Sequence, residues 1–289
     1  MGTVASKGNV GSTLSEDDRF FIEEDADSDS MDEYLRVNLS RCIAYAESAK
    51  PKLQREVAER LANEAVKANR QVQIVELGGL RLLVPLAQSS DVEVRRLAAH
   101  ALANLSVNST NQVLMADLGA IEILVGLLAT ESASVKRQSA KALANLSVNI
   151  RNKERVATAG GIAPLVGLVS HTEASVAIEA VAALANLAVN DANEVEICEN
   201  GGLDAVISAA QTPNTELQAQ CSRALRNLSV NPDNQRRLRE IGGVFVLREL
   251  VRSENPRIFQ QADRALQNMG EPAPSSYTKR AVGVRTDRP

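Results

Sequence analysis

The chain has 289 residues, 44% apolar but only 2% aromatic, with no Trp and a formal net charge of −4. A core must therefore rest on Leu, Val, Ile and Ala, which suits helix packed on helix. The three scattered cysteines, Cys42, Cys198 and Cys221, have the spacing of neither a disulfide framework nor a zinc site. No apolar run approaches the roughly 18 residues that cross a bilayer, so the expectation is a soluble, intracellular protein.

Residues 1–33 hold ten acids against Lys7 and Arg19, a net of −8, which leaves the remainder mildly basic. Rich in Gly, Ser, Asp and Glu, with Phe20, Phe21 and Ile22 as the only apolar cluster, this stretch reads as a disordered acidic arm. It opens Met1-Gly-Thr-Val-Ala-Ser6, which fits the myristoylation pattern with Gly2 as acceptor. One myristoyl chain gives only marginal membrane binding. The expected location is the cytoplasm, with peripheral membrane contact only through that lipid; the nucleus stays open.

Ordered structure is expected from Tyr34, with one helix to Ser48 and another from Pro51 to Lys67, a truncated first repeat. From Gln71 the chain becomes periodic. The octapeptide Ala101-Leu-Ala-Asn-Leu-Ser-Val-Asn108 returns verbatim at Ala142–Asn149 and with small changes at Ala183–Asn190 and Ala224–Asn231, always 41 residues on. Asn63, Asn104, Asn145, Asn186, Asn227 and Asn268 thus form one column, and Gly78, Gly119, Gly160, Gly201 and Gly242 a second. A period of about 40–47 residues in strict register points to stacked helical repeats. In the second full copy the predicted elements are a short helix Asn111–Leu118, a break at Gly119, a helix Ala120–Ala129, a polar turn and a long helix Ala133–Val148. Val135, Ser139, Ala142, Leu143 and Leu146 make the core face of that long helix. A column of small residues, Ala58, Ala99, Ala140, Val181 and Ser222, ends in Asp263, the wet outer face that a terminal repeat needs. Residues 34–270 are read as the repeat array and 271–289, rich in Pro, Ser and Arg, as an unstructured basic tail.

Three helices per repeat, a Gly between the first two, and Ala-Leu-x-Asn-Leu-Ser in the third resemble the armadillo repeat family over residues 34–270. The resemblance implies an all-α, right-handed solenoid of about five repeats behind a truncated N-terminal capping repeat, whose third helices line a concave groove. It also implies a binding protein of the kind represented by β-catenin, importin-α and, most similar in character, the vacuolar armadillo scaffolds.

Catalysis finds no support: His100 and His171 lack partner motifs, and neither a nucleophile signature nor a phosphate loop appears. No cofactor or metal is expected. Asn is a mediocre helix former, so its recurrence in mid-helix needs a reason. On the helical wheel it sits roughly 100° from the core centre, where its amide offers a donor and an acceptor to a ligand backbone. Alternatively it bonds a neighbouring repeat's carbonyl and braces the stack; the two roles can coexist. One turn earlier stand Glu59, His100, Lys141, Ala182, Arg223 and Arg264, and two turns earlier Arg55, Arg96, Arg137, Ile178, Ala219 and Gln260. The candidate binding residues are the six Asn with Arg96, His100, Arg137, Lys141, Arg223 and Arg264. Their charge points to an extended acidic segment of a protein partner, with Ile178, Ala182 and Ala185 an apolar gap between two basic patches. The importin-α tryptophan array is missing, which argues against a nuclear-import receptor. Nucleic acid is disfavoured because the aromatics lie outside the central repeats. The rival reading is a substrate-recognition or accessory component of ubiquitin-transfer machinery.

Overall fold

The computed structural model describes residues 40–271. Gly2, the acidic arm and the tail beyond Glu271 lie outside the described residues. After a helical stretch at 40–46, sixteen helices follow and no strand occurs among the described residues. The first, α1 (Pro51–Ala65), belongs to the incomplete leading repeat. Five triplets succeed it: α2 (Gln71–Glu76), α3 (Gly79–Ala87), α4 (Val92–Leu105); α5 (Ser109–Asp117), α6 (Ala120–Leu127), α7 (Ala133–Leu146); α8 (Ile150–Thr158), α9 (Ile162–Leu168), α10 (Ala174–Leu187); α11 (Asp191–Glu199), α12 (Gly202–Ala210), α13 (Thr215–Leu228); α14 (Pro232–Glu240), α15 (Gly243–Leu250), α16 (Pro256–Asn268).

Local sequence sets the boundaries. The last Asn of each octapeptide is an N-cap: the side-chain oxygens of Asn108, Asn149, Asn190 and Asn231 accept from backbone N–H groups of the following first helix at 2.8–3.1 Å. The glycine column takes φ between 74° and 87°, a left-handed conformation that ends the first helix and launches the second. The next position leaves no room for a Cβ in four of the five repeats, Ala120 being the exception. A Cβ at Gly202 would lie 2.5 Å from the Ile197 side chain and 2.6 Å from its carbonyl oxygen, so the two short helices meet backbone to side chain.

Third helices α1, α4, α7, α10, α13 and α16 pack in one row and carry most of the contact between repeats. The small column makes this possible: Ala58, Ala99, Ala140, Val181 and Ser222 are fully buried, whereas Asp263 at the end of the row is partly exposed and accepts from Gln267 Nε2 at 2.6 Å. The core face read from α7 is also fully buried. First and second helices contact their counterparts more sparsely, so the row of third helices holds the stack together.

A second asparagine column, Asn111, Asn152, Asn193 and Asn234, is almost wholly buried on the first helices. Asn111 Nδ2 donates to Gln71 O and Leu105 O, Asn152 to Gln112 O and Leu146 O, and Asn193 to Lys153 O and Leu187 O, at 2.8–3.4 Å. Each of these three amides therefore ties its own first helix to both the first and the third helix of the preceding repeat. One residue on, a column of donors caps the third-helix carbonyls: Gln71 to Ala65 O, Gln112 to Ser106 O, Lys153 to Ser147 O and Gln235 to Ser229 O. Glu194 breaks the pattern. It is buried, accepts from Asn231 Nδ2 at 2.9 Å, and as a carboxylate cannot donate as its column-mates do. At the same junction Asn234 Nδ2 is buried without a partner.

Burial pushes the Glu194 carboxyl above its ordinary range, with the bond from Asn231 opposing. A carboxyl whose folded pKa exceeds its unfolded value, about 4.3, costs stability as pH rises from that value through the folded one. Glu194→Gln, which restores the donor without the charge, should therefore raise stability by about 1 kcal/mol at pH 7, with the advantage shrinking near pH 4. Thermal melts at the two pH values check this; an unchanged or lowered melting temperature at pH 7 would contradict it.

Candidate binding groove

The side chains that line the third-helix row come from the columns at and before the first asparagine. That Asn is partly buried on every third helix except α1, where Asn63 is exposed. Its amide reaches back one repeat. Asn145 Nδ2 donates to Ala103 O and Ser106 Oγ at 3.4 and 3.1 Å. Asn186 donates to Ala144 O and Asn227 to Ala185 O, both at 2.7 Å, and Asn268 to Arg226 O and Ser229 Oγ at 3.1 and 3.0 Å. Bracing is therefore one function of this column. An amide has two N–H donors and a carbonyl oxygen, and the bonds of Asn186 and Asn227 to the stack occupy one donor each. Asn104 differs: its Nδ2 lies 3.2 Å from His100 Nε2 on its own helix.

The basic residues fall into two kinds. Arg55 is held by Asp91 at 2.6 Å and Arg96 by Glu93 at 2.5 Å, so neither offers a full charge to a ligand. Arg137 and Lys141, partly buried on α7, form no ion pair or hydrogen bond among the described residues. They stand near Glu179 of α10, whose carboxyl burial pushes up and these two cations draw back down. Burial first, then the field of Arg96 with that of these two cations, holds the His100 imidazole below its ordinary value.

Farther along, Arg223 is pressed into the groove wall. Its Nη2 donates to Ala182 O at 3.0 Å, its Nε is buried without a partner, and burial first, then Arg257 and Arg226, lower its pKa. Arg226, which the column reading passed over, donates to Asn227 Oδ1 and Gln261 Oε1, both at 3.1 Å. Arg264 is exposed and bonds Gln267 at 3.1 Å. Between the two basic stretches Ile178 and Ala182 are partly exposed, whereas Ala185 is buried beneath them.

A polar column, Gln138, Glu179, Gln220 and Gln261, runs seven residues before Asn145, Asn186, Asn227 and Asn268, and the sequence reading gave that column no role. The 41-residue step would have found both this column and the buried Asn111 column. Among the described residues no group of three or more His, Cys, Asp or Glu is placed to hold a metal.

Comparison with known proteins agrees with this geometry. The Armadillo/beta-catenin-like repeat profile matches residues 149–189 and 190–230, and the Armadillo-like profile residues 75–159. No curated protein matches the chain. Among solved structures, an engineered protein from the Northeast Structural Genomics Consortium is 32% identical, with 81% of this chain and 96% of that one covered at a TM-score of 0.75. A designed armadillo repeat protein is 26% identical over 80% and 99% of the two chains, also at 0.75. A further designed armadillo repeat protein, solved in complex with the peptide (KR)4, is 25% identical over 80% and 99% at 0.73. The chain belongs to the armadillo repeat family.

Proposed function

We propose that this protein is a non-catalytic adaptor that holds an extended, acidic segment of a partner protein along its third-helix row. The observation that carries the reading is the pair Arg137 and Lys141, two cations without an ion pair, beside Asn145, Asn186 and Asn227. Side-chain amides can hold a peptide backbone whatever its sequence, and the flanking charges choose among sequences. The fold's use in peptide binding is supported by the designed relative that carries (KR)4. The sign of the ligand does not transfer, because Arg137, Lys141, Arg223, Arg226 and Arg264 would repel a basic chain.

Fluorescence anisotropy with a labelled poly-Glu dodecapeptide and with (KR)4 tests the reading. The acidic peptide should bind and (KR)4 should not. Its affinity should fall at least tenfold as ionic strength rises from about 0.05 M to about 0.5 M, where the Debye length shrinks to a few ångströms. A preference for (KR)4, or salt-independent binding of the acidic peptide, would overturn it.

A further inference from the structure

Repeat by repeat, the two groove positions preceding each Asn always include a charged or ionisable side chain, with one exception. On α10 they are Ile178 and Ala182. Both are partly exposed and both are packed against the core beneath. The shelf is bounded on one side by Arg137 and Lys141 of α7, whose charge exceeds that of Glu179 between them, and on the other by Arg223. The Arg223 guanidinium crosses to Ala182 O at 3.0 Å and so closes the shelf against the next repeat.

We propose, resting on the reading above, that the groove selects an acidic–apolar–acidic pattern. One aliphatic side chain of the ligand sits on the Ile178–Ala182 shelf, and acidic side chains two to three residues to either side meet Arg137 and Lys141 in one direction and Arg223 with Arg226 in the other. The spacing follows from dimensions. Helices in contact lie about 8–10 Å apart at their axes and draw closer on the inner side of a curved stack, while an extended chain advances about 3.3 Å per residue. A charged residue on the shelf would have no ion partner in the Ile178 and Ala182 columns of α10. An apolar residue displaced by one repeat would instead cover Lys141 or Arg223 and remove them from water. The flanking acids thus fix the register and the aliphatic group fixes the centre.

The test uses the full chain and three labelled peptides of equal charge: one with Leu centred between two acidic runs, one with the same Leu at its end, and one with the central Leu replaced by Ser. The centred peptide should bind about tenfold tighter than the other two, the order expected for burying much of one Leu side chain. That advantage should vanish in Ile178→Ser and in Ala182→Glu, whose folding is checked by melting temperature. Equal binding of the three peptides by the unaltered protein would reject the pattern and leave the acidic-ligand reading standing. Failure of all three to bind would reject both. An advantage that persists in either variant would place the Leu somewhere other than the shelf and so also reject the proposal.

Discussion

Asn152→Asp should lower the stability of the array at pH 7 by at least about 3 kcal/mol, the range for placing an uncompensated charge in a protein interior. The substitution is nearly isosteric, but it replaces an amide that donates to Gln112 O at 2.8 Å and Leu146 O at 3.1 Å with a carboxylate facing those two oxygens. The side chain is 2% exposed, so water cannot relieve the repulsion. The folded carboxyl would be driven well above its unfolded pKa of about 3.9, so the deficit should grow as pH rises from near 4 and be smallest in acid. Asn152→Ala, which loses two hydrogen bonds without adding charge, should cost about 2 kcal/mol at either pH. Because repeat arrays are stabilised by terms between nearest neighbours, the Asp variant should also broaden the denaturation transition. Equal stability of the Asp and Ala variants at pH 7 would show that the buried ladder does not work as described.

Reversing the two unpaired cations should affect binding more than any other pair of surface changes. Arg137→Glu with Lys141→Glu places two acids beside Glu179, and affinity for an acidic peptide should fall about 30-fold, near 2 kcal/mol, mostly through slower association at low salt. An equal charge change elsewhere is the control. Arg236 and Arg252 are exposed and paired within their own segments to Asp233 and Glu249. Their reversal should change affinity less than about threefold, through the long-range field alone. Surface plasmon resonance measures both rates, and equal losses in the two double variants would contradict a local groove contact.

Periodicity carried most of the fold. The helices expected at Asn111–Leu118, Ala120–Ala129 and Ala133–Val148 lie at Ser109–Asp117, Ala120–Leu127 and Ala133–Leu146. The small shifts arise because the terminal Asn of the octapeptide caps the following helix, which starts that helix early, while Ser147 rather than Val148 closes the third. The site was less legible. A column tells which residues share a face, but not how far an amide reaches. Only the packing of adjacent third helices shows that Asn145, Asn186 and Asn227 spend a donor on the preceding repeat. An alanine change in that column should therefore lower stability as well as any binding. Neutralisation of Arg96 by Glu93 was readable as an i, i+3 pair. That of Arg55 by Asp91 was not, since it spans 36 positions and depends on how α1 meets the loop before α4.

The central claim is that an extended acidic chain lies on the third-helix row and touches its asparagines, and side-chain amide spectra of the full-length protein report that contact most directly. On titration with a poly-Glu dodecapeptide, the Nδ2 resonances of Asn145, Asn186 and Asn227, assigned by single Asn→Gln variants, should shift in a saturable, salt-sensitive manner, while those of the buried Asn111, Asn152 and Asn193 stay in place. Saturable binding that leaves the three groove amides unmoved would contradict the account.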